Sequence, residues 1–165
     1  MKIIVLAGGL STERDVSLAS AAGICRTLIE KGHDAFLLDV FLGLEHAPEH
    51  LEDVFTLPGH GLEIAKNISC EEPDLAAVKA SRPDQSDCFL GPNVIELCRL
   101  ADITFLGLHG GEGENGKLQA TFDLLGIRYT GPDSLGCAVA MDKGLTKQVF
   151  LQAGSDTPAG VTIHK

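Results

Sequence analysis

Apolar and polar positions along the chain follow two alternating regimes: short apolar runs of strand length, and longer stretches with an apolar stripe at helical spacing. That alternation predicts βαβ units around a parallel sheet, an α/β architecture. Residues 2–7 are the first apolar run, and Gly8-Gly9 turns the chain directly after it. Residues 17–31 then place Leu18, Ala21, Ala22, Cys25, Leu28 and Ile29 on one helical face, with Ser17 as the N-cap and Gly32 just past the end. Residues 35–40 form the second strand.

Periodicity fades over 41–92, where Pro48, Pro58, Pro73, Pro83 and Pro92 interrupt it. A structureless loop of that length is unusual inside a compact domain. The reading is therefore an elaborated connection with short local elements, one of them a helix around 75–80. Regularity returns at Asn93, with Val94, Leu97, Cys98 and Ala101 as a short helical stripe and 103–108 as the third strand. A glycine-rich loop over 109–116 leads into a helix at 117–125, stopped by Gly126. A short strand at 127–130 follows, then helices at 134–140 and 143–153, the last capped by Asp142. Residues 157–165 begin an extended segment without a partner strand, which leads to the expectation that the chain is a truncated piece.

Composition narrows the function classes. Hydrophobic residues make up 44% of the chain and charged ones 22%, enough for a packed core, and the net charge is −10. Nucleic-acid binding draws its affinity from clustered Lys and Arg, and so does attachment to an anionic membrane surface; both are excluded as expectations. The acidic excess falls mostly between positions 45 and 87, where Glu45, Glu49, Glu52, Asp53, Glu63, Glu71, Glu72, Asp74, Asp84 and Asp87 face only Lys66, Lys79 and Arg82. This is read as a solvated acidic surface. No apolar run reaches the length of about 18 residues that a membrane span needs, and the amino-terminal apolar run is too short for a signal-peptide core. A cytoplasmic location is expected. The cysteines (Cys25, Cys70, Cys88, Cys98 and Cys137) lack CxxC spacing, so neither a metal centre nor a disulfide framework is expected, and Cys25, Cys98 and Cys137 read as buried free thiols.

Polar chemistry concentrates at a few places, two of them just beyond parallel strands, where open α/β sheets bind ligands. The first, Gly8 to Ser17, holds Glu13 and Arg14 on a strand-to-helix turn. It lacks a dinucleotide or P-loop pattern, and the two charges either serve a ligand or simply pair and face water. The second runs from His109 to Gln119. Its glycines let backbone wrap a small ligand, Asn115 can cap the next helix, and His109 is either a ligand contact or a structural donor. The third is Met141-Asp142-Lys143. A lysine at a helix start opposes the helix dipole, so Lys143 is either solvated or set against an anion.

In order along the chain, VLAGGLSTERDVSL, LHGGEGENGKLQA and RYTGPDSLGCAVAMDKGLTKQVFLQAGSDTPAG resemble the motifs of the D-alanine–D-alanine ligases of the ATP-grasp superfamily, GGxSxEREVSL, HGxxGEDGxxQG and YTGxGxxxSxxxMDKxxxKxxxxxxGxPxP. The likeness covers 2–40 and 94–165. Asp15 stands where the family has Glu, and Asn115 where it has Asp. The resemblance implies a three-layer Rossmann-like (pre-ATP-grasp) domain over 1–140, a small parallel sheet flanked by helices, and the start of a central ATP-grasp domain over 141–165.

The activity it implies is ATP-dependent joining of two D-alanines through an acylphosphate, for peptidoglycan synthesis, with Mg2+ and most of the ATP site outside these residues and this stretch inactive by itself. Glu13 and His109 are the implied catalytic residues. Glu13 pairs with the ammonium of the first D-alanine, while His109 donates to a carboxylate or acylphosphate oxygen. Val16, Ser17, Gly110 and Glu114 complete the substrate-binding set, and Lys143 lies near the ATP phosphates. A homodimer is a further implication. Two alternatives stay open: a stand-alone α/β module that binds a small molecule without catalysis, and a D-alanine–D-lactate ligase.

Overall fold

The computed structural model describes residues 1–69 and 71–163. Its sheet has β1 (Lys2–Ala7) in the middle, β2 (Asp34–Asp39) on one side and β3 (Ile103–Leu106) on the other, all parallel. The register pairs Ile4 with Phe36 and with Thr104. Both faces of β1 are covered, which is why it reads as an unbroken apolar run. Ile3, Val5 and Ala7, with Ala35 and Leu37, pack on Leu18, Ala21, Ala22 and Cys25 of α1 (Arg14–Glu30). Ile4 and Leu6, with Phe36 and Leu38, meet the opposite layer. That layer is built by Val94 and Leu97 of α3 (Val94–Leu100), Leu118 and Phe122 of α4 (Lys117–Leu125), and Val54 and Phe55 of a 3-10 turn at Leu51–Thr56. The three-layer α/β expectation holds.

Local chemistry explains most element ends. After α1, Gly32 takes φ +82, and its N–H and that of His33 return to the carbonyls of Ile29 and Leu28 at 2.9 and 3.1 Å, the Schellman arrangement that satisfies the last turn. Ser17 is not the N-cap. The helix begins at Arg14 with Glu13 in the cap position, and Ser17 lies inside it. The strand expected to 108 ends at Leu106, because the next carbonyl, Gly107 O, accepts from Ser17 Oγ at 2.7 Å. The strand expected at 127–130 amounts to one bridge, Thr104 to Tyr129. Beyond it Leu106 N donates to the Thr130 side chain at 3.1 Å instead of to backbone, and Gly131 at φ +111 turns the chain away.

The connection over 41–92 contains the expected short helix, α2 (Leu75–Ala80), capped by Asp74, whose Oδ1 accepts from Ala77 N at 2.9 Å. The segment is tied down by Arg82, which is buried, donates to the carbonyl of Cys88 and stacks over Phe41 at 4.9 Å. α5 (Ser134–Met141) and α6 (Lys143–Gln152) follow, capped by Asp133 and Asp142. Asp142 Oδ1 accepts from Leu145 N at 2.9 Å, as read from the sequence. The stretch after α6 forms no helix or strand as far as residue 163, and its last two positions lie outside the described residues.

Cys25, Cys98 and Cys137 are buried free thiols and Cys88 is exposed, while Cys70 lies outside the described residues. Burial pushes the Cys25 and Cys98 thiols up from 9.0 to about 11. Between those values the unfolded chain releases protons that the folded chain keeps, so the contribution is complete below pH 9 and declines as pH rises towards 11. Urea midpoints should therefore fall across that window, and peptide mapping after iodoacetamide should find Cys88 modified well before Cys25 or Cys98. A flat midpoint profile, or early modification of Cys98, would contradict this account.

Candidate functional site

The carboxyl ends of the parallel strands carry the predicted residues. β1 runs into Gly8 and Gly9, which take φ +75 and +82. A side chain on Gly8 would collide with the Asp39 carboxylate, so the tight turn and the close approach both require glycine there. β3 runs through Gly107 and Leu108 to His109. The two loops are stitched together by Ser11, whose Oγ donates to the His109 carbonyl at 2.6 Å and accepts from Glu13 N at 3.2 Å.

Glu13 and His109 therefore meet on one edge of the sheet. A Cβ on Gly110 would stand 2.8 Å from Glu13 Oε2. The carboxylate thus lies directly against the residue after His109. Glu13 is exposed, makes no side-chain hydrogen bond among the described residues, and sits at the amino-terminal end of α1, where the helix dipole favours a negative charge. Val16 is half-buried on the first turn of α1. Between the two loops a crevice of about 10 Å³, lined by Gly9, Ser11, Phe89, His109 and Gly110, has room for about one water.

The other predicted residues are placed differently. Ser17 is fully buried, and its hydroxyl is used up by the protein, accepting from Gly8 N at 2.9 Å and donating to Gly107 O. It ties the two loops together from inside the core. Glu114 lines a mostly apolar cleft of about 420 Å³ with Gln119, Thr130 and Cys137, and not the crevice between the two loops. Asn115 caps as expected in part: its Oδ1 accepts from Lys117 N at 3.1 Å, although Gly116 at φ +89 holds the cap position. Lys143 is exposed at the start of α6 in a separate cleft of about 840 Å³, with Lys147 and residues 157–162. No carboxylate pairs with it among the described residues.

Sequence reading missed the brace beneath the first loop. The sequence leaves Arg14 either to pair with Glu13 or to face water; in the structure it is buried and ion-paired with Asp39 at the end of β2, and its Nη1 donates to Gly9 O at 2.7 Å. Asp39 Oδ1 in turn accepts from Phe41 N and Leu42 N at 2.9 and 3.0 Å. The one available signal was an aspartate closing an apolar strand. Phe89 was also missed. It comes from the irregular connection, yet its ring lies 3.4 Å from where a Cβ on Gly9 would be.

Among the described residues no group of three or more His, Cys, Asp or Glu could hold a metal ion, and no helix is long and apolar enough to cross a membrane.

Comparison with known proteins gives a consistent result. Residues 2–132 match the family model described as the D-ala D-ala ligase N-terminus. The D-alanine–D-alanine ligase of Lacticaseibacillus casei is 44% identical over 159 residues, covering 95% of this chain and 43% of that protein. That of Pediococcus pentosaceus is 42% identical, covering 99% of this chain and 46% of that protein. The chain thus spans under half the length of these relatives. Among solved structures, the D-alanine–D-alanine ligase from Coxiella burnetii superimposes with a TM-score of 0.55 at 27% identity, over 93% of this chain and 42% of that one. The Bacillus anthracis enzyme complexed with ATP gives 0.60 at 23% identity, covering 96% and 38%, a likeness of fold.

Proposed function

The chain belongs to the D-alanine–D-alanine ligase family through its amino-terminal domain, and on that premise we propose that it forms the first-substrate part of an ATP-dependent ligase joining two D-alanines for peptidoglycan synthesis in the cytoplasm. The observation that carries the proposal is the Glu13 carboxylate lying against Gly110, beside His109, at the carboxyl edge of a parallel sheet.

The ammonium of the first D-alanine sits on Glu13 as a charge-assisted hydrogen bond, with Val16 alongside its methyl group. His109 and the backbone of the glycine loop face its carboxylate and the charge that develops there. ATP supplies the phosphoryl group that turns this carboxylate into an acylphosphate, which the amine of the second D-alanine then attacks as phosphate leaves. Lys143 fits a phosphate: its ammonium has no carboxylate partner among the described residues, at a helix start that itself favours an anion. Lys147 lines the same cleft. The described residues do not make a magnesium site, so Mg2+ belongs to the proposal only as the partner of ATP, and no step here passes through it. The proposal also places a domain boundary near residue 140, gives Glu114 a supporting role behind the loop, and includes a homodimer, which sedimentation equilibrium would read directly.

Glu13→Gln tests the central claim. Replacing the charged acceptor with a neutral one should cost about 1.5–3 kcal/mol of binding, roughly 10–100-fold in the KM for the first D-alanine in the full-length protein carrying this domain. Unchanged kinetics for that substrate would reject the role of Glu13, and with it the placement of the subsite.

A further inference from the structure

Ser20 lies two turns into α1 and takes no part in the motifs discussed so far. Its Oγ is 2.8 Å from the Val16 carbonyl, 3.1 Å from the Ser17 carbonyl and 3.2 Å from Nε2 of His109. A hydroxyl has one proton and two lone pairs. The two helix carbonyls can only accept, and Val16 O, four residues back in the same helix, is the shortest of the three contacts. The Ser20 proton therefore goes to the helix backbone. What remains on Oγ for His109 is a lone pair, and a lone pair needs a proton on Nε2.

We infer that Ser20 is a positioning residue for His109, holding the neutral ring as its Nε2–H tautomer with Nε2 turned to α1 and leaving Nδ1 for the ligand. Nδ1 has no hydrogen-bond partner among the described residues. The inference deepens the proposed function and rests on it for the statement that His109 faces the first substrate. Its consequence for that reading is a matter of proton count. With Nε2–H committed to Ser20, the neutral ring can only accept through Nδ1. Donation to a carboxylate or acylphosphate oxygen then comes from the doubly protonated ring, through Nδ1–H. The hydrogen bond made by one ring nitrogen usually fixes a histidine's tautomer in this way, although a carbonyl or carboxylate is the commoner partner.

Nitrogen NMR of the ring in the 165-residue chain, without ligand and at a pH where His109 is neutral, tests the inference. Nε2 should carry the proton, with contacts from the ring to Ser20. Ser20→Thr keeps the hydroxyl and its bond to the helix carbonyl, and should preserve both features. Ser20→Val has the same shape as threonine without the oxygen; it should lose the ring's contact with α1 and let a measurable share of the proton move to Nδ1. A proton on Nδ1 in the unaltered chain, with Nε2 accepting from Ser20, would overturn the inference. So would a Val variant whose ring contacts and tautomer match those of Thr. Titration of the same samples with D-alanine reads the other question separately: a tautomer as stated with no ring response to saturating D-alanine would count against His109 as a substrate contact, and not against Ser20 as its partner.

Discussion

Asp39→Ala should lower the unfolding free energy by about 3–5 kcal/mol, the range for removing one partner of a buried ion pair. Both side chains are almost inaccessible, at 6% for Arg14 and 3% for Asp39. The cost has two sources. The guanidinium is left in the interior without its counter-charge, and the N–H groups of Phe41 and Leu42 lose the oxygen they share at 2.9 and 3.0 Å. Asp39→Asn separates these, since its amide oxygen can still accept from both N–H groups while the charge is gone; it should fall between the unaltered protein and Asp39→Ala. Combining Asp39→Asn with Arg14→Met removes the uncompensated charge and should recover much of the loss. Urea denaturation with a common slope measures the series. An Asp39→Ala protein within about 1 kcal/mol of the unaltered one would mean that water reaches the guanidinium and that the pair is not buried in solution. Because Arg14 also holds Gly9 O, the same substitution should weaken the proposed D-alanine binding at the neighbouring edge, although neither residue is placed in the proposed subsite.

That ion pair marks the boundary of what the sequence makes legible. Elements governed by periodicity and local capping could be read directly. The α4 stripe Leu118, Phe122 and Leu125, the Asp142 cap and the Gly32 ending depend on residues within about a turn of one another. The start of α1 could not. Ser17 has the chemistry of an N-cap and directly precedes the first apolar residue of the stripe, but the helix extends back to Arg14, whose buried side chain is held by a carboxylate 25 positions away. Nothing in a local window announces that partner. The same holds for Phe89, carried to the crevice by a connection without periodicity and held by the buried Arg82. The expectation that Glu13 and His109 share one edge of the sheet rests on the motif order, since composition and spacing leave Glu13 free to face water. Glu114, one residue beyond the 3-10 turn at Gly111–Gly113, lines a different cleft from His109 and Gly110, and nothing in the local sequence separates the two.

Ser17→Ala should be nearly as damaging as the loss of Asp39, despite removing a single oxygen. The Ser17 hydroxyl joins the ends of two parallel strands that do not continue their ladder: it accepts from Gly8 N at 2.9 Å and donates to Gly107 O at 2.7 Å, with no access to water. Alanine fits the space but satisfies neither group. Each orphaned buried partner costs about 1–3 kcal/mol, so a total of roughly 2–6 kcal/mol is expected. Threonine keeps the oxygen and should be the mildest replacement if the extra methyl fits, whereas cysteine, a weak donor and acceptor, should resemble alanine. Function offers a second measure. Gly8 opens the loop that carries Ser11 and Glu13, and Gly107 precedes His109 by two residues, so the same hydroxyl sets the spacing of the two proposed catalytic groups. Hydrogen exchange at Gly8 should accelerate in Ser17→Ala, and the proposed D-alanine binding should weaken even where the protein remains folded. A variant of native stability with unchanged exchange at Gly8 would show that the strands hold this edge together without the serine.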